Sequence, residues 1–335
     1  MRNKDVTINN IDNEVILTSN DRLFYLDVVR GIGILLIVLG HISTEKNIIV
    51  RYAYSFNVAL FFIVTGYLLK FKNKNIYIKD QLKNKFTTLI IPYYFFSLFF
   101  ILTNIFINGL NIKNMVSEIA QILMFIPSNA LWFLPALFFA EVFFTIWRKI
   151  KMNIIKITMF ISFFTIPYLI GFINYNFILL VLGRAMVGTG FIIMGYISFN
   201  IINTKNIKKY IPIFLILITF IISFILNGVD FDLYSLSFGN LFLYFFNGVI
   251  ASISIIAIIK EVKVNKILEF YGKNSMIIMC THQCFLMILD KFYNYRDSDF
   301  VSQLGIFFII ILIEHLIINI INKYCIWPIG EKVKN

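Results

Sequence analysis

About ten stretches of this chain are apolar for long enough to cross a hydrocarbon layer of ~30 Å, near residues 24–44, 52–69, 87–107, 131–147, 154–173, 177–198, 211–227, 239–259, 274–290 and 303–322. With 59% apolar residues, only 14% charged ones and a mean hydropathy of +0.82, there are too few polar side chains to cover an ordinary soluble surface. The expected fold is therefore all-α: a polytopic membrane protein of about ten transmembrane helices around a polar cavity.

The formal charge of +12 is a topology signal and not a nucleic-acid footprint, since the bases fall in short clusters between apolar runs and no DNA- or RNA-binding motif is present. Alternate loops carry them. Lys70, Lys72, Lys74, Lys79, Lys83 and Lys85 share one loop, Arg148, Lys149, Lys151 and Lys156 a second, and Lys205, Lys208 and Lys209 a third. Lys260, Lys263, Lys266 and Lys273 follow, whereas the intervening loops hold only Lys46, Arg51, Lys113, Lys291 and Arg296. By the positive-inside rule both termini are cytoplasmic, which requires an even number of crossings.

One membrane domain, residues 23–325, accounts for the chain, with cytoplasmic polar tails at 1–22 and 326–335. The first tail mixes acids with bases and shows no small-residue cleavage site, so it does not read as a secretory signal. Between the third and fourth spans, Met115, Ile119, Ile122, Leu123 and Ile126 share a helical face with Glu118 and Gln121 off it, the pattern of an amphipathic helix on the outer leaflet.

Inside the first span stand Arg30 and His41, eleven positions apart. At about 100° per residue, eleven steps return a helix to nearly the same face, roughly 16 Å further along. Ionisable groups at that depth are costly, so a helix keeping two in line faces a polar cavity and not lipid. Arg30 alone has a bland explanation, a side chain snorkelling to the headgroups. Asp27 is placed for an i,i+3 ion pair with it.

These residues carry a family resemblance. Leu26-Asp27-Val28-Val29-Arg30-Gly31 and the Arg-x10-His spacing of Arg30 and His41 are similar to the opening of the acyltransferase 3 family of integral membrane O-acyltransferases, in its stand-alone form. Phe61-Phe62-Ile63-Val64-Thr65-Gly66-Tyr67 resembles the family's Phe-Phe-x-x-Ser-Gly-Phe/Tyr run, with Thr65 in place of serine. Pro92-Tyr93 follows a basic stretch in which lysines replace the usual arginines. Trp132-Phe133-Leu134 and the pair Ser275 and His282 resemble later motifs.

The resemblance implies transfer of an acyl group, usually acetyl, from cytoplasmic acyl-CoA to a hydroxyl of a cell-envelope or surface carbohydrate, in a bacterial cytoplasmic membrane. Acetyl-CoA is then a co-substrate, no metal is called for, and a homo-oligomer is left open. His41 serves as general base towards the acceptor hydroxyl or carries the acyl group itself. Arg30 holds the CoA phosphates or pairs with Asp27, and Lys83 and Lys85 are the lysines best placed to meet the CoA polyanion, although basic loops also arise from topology alone.

Four further groups are candidate substrate contacts: His282, Glu141, Arg184 and Trp132. For Glu141 and Arg184 the competing role is polar glue between helices, and for Trp132 an interfacial anchor. Glu45 is a solvated loop acid or an orienting partner for His41. Of the neighbours Glu314 and His315, at most one faces the cavity, and His315 is the structural one. Cys280 and Cys284 share a face from which His282 points away, so a metal site on that helix is not expected, and with Cys325 they indicate no disulfide framework. A glycan transporter would also line a ten-helix cavity with polar groups, but the chain lacks the mirrored halves and paired broken helices of such proteins.

Overall fold

The computed structural model describes residues 23–43, 47–72, 78–127, 129–172, 177–204, 207–225 and 232–324. Among them fourteen α-helices account for nearly all regular structure, and the only pairing of extended backbone is an isolated bridge between Asp232 and Ser237. In chain order the helices are α1 (Phe24–Ile42), α2 (Ile48–Tyr54), α3 (Asn57–Lys72), α4 (Ile78–Lys85), α5 (Ile91–Asn108), α6 (Ile112–Leu123) and α7 (Phe133–Lys149), then α8 (Asn153–Ile170), α9 (Phe177–Thr204), α10 (Tyr210–Ile225), α11 (Leu241–Lys260), α12 (Lys266–Lys273), α13 (Ser275–Phe292) and α14 (Phe300–Tyr324).

Nine helical runs among the described residues are long and apolar enough to cross a membrane, and all nine fall on expected spans. The expected crossing at 211–227 corresponds to α10, an apolar helix of 16 residues. At 1.5 Å per residue it reaches about 24 Å before the chain passes out of the described residues, short of a full hydrocarbon core. The second span is broken: α2 and α3 meet at Ser55-Phe56, where the Ser55 hydroxyl donates to the Tyr52 carbonyl at 2.7 Å.

Burial sorts the spans into an inner and an outer set. Much of α1, α3, α9 and α11 is buried in protein, whereas α5, α8, α10 and α14 turn residues such as Leu102, Ile157, Leu217 and Leu312 outward. Large apolar side chains all round the outside are unfavourable in water and suit a bilayer. The amphipathic segment forms α6 as expected, but its apolar face is divided and the helix stops at Leu123. Ile122 is buried, with Tyr93 donating to its carbonyl at 2.8 Å, while Ile112, Val116, Ile119 and Leu123 form the outward stripe. Off that stripe, Glu118 accepts from the Asn104 amide at 2.8 Å.

Two backbone-to-backbone contacts hold the inner set together. A Cβ on Gly66 of α3 would run into the Ile192 carbonyl of α9, and one on Gly195 into the Ile63 carbonyl. Likewise a Cβ on Gly31 would meet the Leu268 carbonyl of α12, and one on Gly272 the Asp27 carbonyl. The glycine after Arg30 is thus required by the packing of α1 on α12. Small residues let helices approach this closely where lipid provides no hydrophobic drive to associate.

We expect Gly66→Ala and Gly31→Ala to lower stability by about 1–3 kcal/mol each, because a backbone carbonyl cannot move aside as a side-chain tip can. Gly305→Ala in α14, where nothing lies within 4 Å of the new Cβ, is expected to be neutral or stabilising. Thermal melting of the three variants in detergent checks the contrast.

Candidate active site

Along the Arg30–His41 face of α1 the intervening residues are Ile34 and Ile37, since steps of four, seven and eleven all fall within about 40° of Arg30. Ile34 is fully buried and Ile37 nearly so. The face therefore turns into the bundle and not to lipid. Its two ends are more open: Arg30 and His41 are half-buried. At the first end Arg30 reaches back to buried Asp27, Nη1 to Oδ1 at 3.3 Å, the i,i+3 pair expected from the spacing. Asp27 is fourteen residues, or about 21 Å, from His41 along the helix, too far to act on that imidazole.

His41 meets the middle of α13. The Gln283 side-chain oxygen accepts the Ala130 backbone N–H at 2.6 Å, which leaves its amide nitrogen for His41, 3.3 Å from Nδ1 and 3.4 Å from Nε2. His282 lies alongside, fully buried, with its ring centroid 5.2 Å from that of His41 and the planes tilted by 39°. Its Nδ1 is 2.6 Å from the Ile278 carbonyl. A carbonyl only accepts, so that nitrogen carries the proton.

Trp132 and Arg184 come together at the same end of the bundle. The Arg184 guanidinium packs against the adjoining rings of Trp132 and Tyr234, 5.2 and 4.3 Å from their centroids, and its Nε donates to the Tyr234 carbonyl at 2.7 Å. The turn bearing Tyr234 is closed by Asp232, whose carboxylate accepts from the Tyr234 N–H at 2.9 Å and from the Ser235 hydroxyl at 2.6 Å. Asp232 and Arg296, from two connecting segments, are both within electrostatic reach of His41.

Glu141 pairs with Lys85, Nζ to Oε1 at 2.7 Å. The carboxylate is buried and the lysine only partly so, a stem folded inward at the point where α4 passes through one π-helical turn, Phe86–Ile90, into α5. Thus a residue expected at the acceptor and one expected at the cofactor hold each other. Lys83 is exposed. Glu314 is fully buried, with both carboxylate oxygens within 2.9 Å of the Thr281 hydroxyl, whereas His315 is exposed and packs at a tilt against Phe270, ring centroids 4.9 Å apart. The two neighbours do face different ways. Glu45 and Cys325 lie outside the described residues.

Gln283 and Tyr234 belong to the site and were not singled out in the sequence. A glutamine at membrane depth was a legible signal. Tyr234, in a short segment between helices, offered none.

Helices of this length around an inward line of arginine and histidine define a polytopic membrane protein with an internal polar site. Its family is given by comparison: residues 23–318 match the family model Acyl_transf_3, described as an acyltransferase domain. The chain belongs to that family and is a membrane acyltransferase. No curated protein and no solved structure matches the chain significantly.

Removing one member of the Lys85–Glu141 pair strands the other in a low-dielectric setting. Lys85→Met and Glu141→Gln are each expected to lower the melting temperature, and the double variant by less than the sum, with a coupling of about 1–3 kcal/mol. Strict additivity would show that the pair does not form in the folded protein.

Proposed function

We propose that this acyltransferase moves an acyl group, most simply acetyl, from cytoplasmic acyl-CoA to a hydroxyl of a cell-envelope or surface carbohydrate, within a bacterial cytoplasmic membrane. The observation that carries the reading is the inward setting of α1 in a member of this family, with a cation at one end of its face and an imidazole at the other. Arg30 is suited to the phosphates of CoA, with the exposed Lys83 as a second cationic contact. Asp27 fixes the guanidinium, and Lys85, tied to Glu141, sets the entry of α5.

At the other end His41 acts as general base. The acceptor oxygen attacks the thioester carbonyl as its proton passes to the imidazole, the carbon–sulfur bond breaks, and the CoA thiolate takes the proton. Trp132, held against Arg184 and Tyr234, offers an aromatic face of the kind on which sugar rings stack. The distribution of basic loops supports cytoplasmic termini.

The test is transfer of label from [14C]acetyl-CoA by purified protein in proteoliposomes. His41→Ala is expected to lower kcat by about 10²–10⁴-fold, and Arg30→Ala to raise the KM for acetyl-CoA about tenfold by loss of a charge-assisted contact. Unchanged turnover in a folded His41→Ala variant contradicts the mechanism.

A further inference from the structure

His282 is an unusual core histidine. One side of its ring is satisfied, Nδ1–H on the Ile278 carbonyl at 2.6 Å, while Nε2 is buried and has no hydrogen-bond partner among the described residues. With the proton fixed on Nδ1, the neutral ring holds its lone pair on Nε2. A buried acceptor left open calls for an explanation, the more so on a ring that lies beside a second imidazole. The neighbouring polar groups of α13 do not supply one. Thr281 is engaged by Glu314 and by the Ile277 carbonyl, and Gln283 by Ala130 and His41.

The adjacent ring is that of His41, with 5.2 Å between centroids. Two imidazoles joined edge to edge by an N–H···N bond of ~3 Å have centroids about 5 Å apart. Gln283 is nearly equidistant from the two His41 nitrogens, at 3.3 and 3.4 Å, so it steadies the ring without selecting one nitrogen for protonation.

We propose that His282 is a positioning residue that selects the working tautomer of His41: a small reorientation of the two adjacent rings lets its open Nε2 take the N–H of one His41 nitrogen, which keeps the lone pair on the other, facing the acceptor. The inference rests on the acyl-transfer reading above. As the acceptor oxygen bonds to the thioester carbon, its proton passes to the free His41 nitrogen, and the resulting imidazolium donates its other N–H to His282. The carbon–sulfur bond then breaks, the thiolate takes the proton from His41, and both rings are neutral again. An acidic side chain does the same orienting work in many hydrolases, but a neutral imidazole brings no second charge to membrane depth.

The chain has three histidines, so 15N-histidine labelling of the protein in nanodiscs gives three imidazoles, assigned by His41→Gln and His282→Gln. The expected spectrum shows His282 protonated on Nδ1 and bare on Nε2. A proton on Nε2 overturns the proposal. In acetyl-CoA turnover, with water or added soluble sugars as acceptor, His282→Leu is expected to lower kcat about 10- to 100-fold with the KM for acetyl-CoA unchanged. His282→Gln, which returns an acceptor oxygen, should recover part of that loss. Wild-type rates in folded His282→Leu overturn the inference alone. Absence of CoA release by the wild-type protein overturns the acyl-transfer reading, and the inference with it.

Discussion

The rotation of α1 about its own axis is the setting on which the site depends. Gly31 and Gly272 bring the backbones of α1 and α12 into contact, and the burial of Ile34 and Ile37 fixes which face looks inward. A turn of 100°, one residue's worth, would put Arg30 and His41 against different neighbours and expose at least one ionisable group to lipid. Helix packing and chemistry are therefore coupled through the same short stretch, Asp27 to His41.

Polar groups inside the bundle are mostly held by specific partners, which is how they are tolerated at membrane depth. Arg30 has Asp27, Glu141 has Lys85, Arg184 has the Tyr234 carbonyl and Glu314 has Thr281. The π-helical turn ahead of Pro92 is a further departure from regular helix, of a kind that often accompanies function. The region around His41 differs from this background in that its contacts are longer and two titratable rings lie side by side, one of them with an open nitrogen.

Much of this architecture was legible in the sequence because its causes are local. Hydrophobic run length marks the spans, and a spacing of eleven places Arg30 and His41 on one face whatever surrounds the helix. The Arg30–Asp27 pair is visible for the same reason. What could not be read are contacts between distant positions: Lys85 with Glu141, Gln283 with both Ala130 and His41, and Arg184 with Tyr234. These depend on the relative height and rotation of separate helices, which periodicity within one helix does not fix. The same limit explains α6, whose apolar residues divide between the bundle and the outside only once Ile122 meets Tyr93.

The most direct measurement is a structure of the protein in nanodiscs with a non-hydrolysable acetyl-CoA analogue. The account predicts the CoA phosphates beside Arg30 and the acyl carbon within reach of the His41 imidazole. A ligand seated elsewhere, or either of these two side chains turned to lipid, would contradict it.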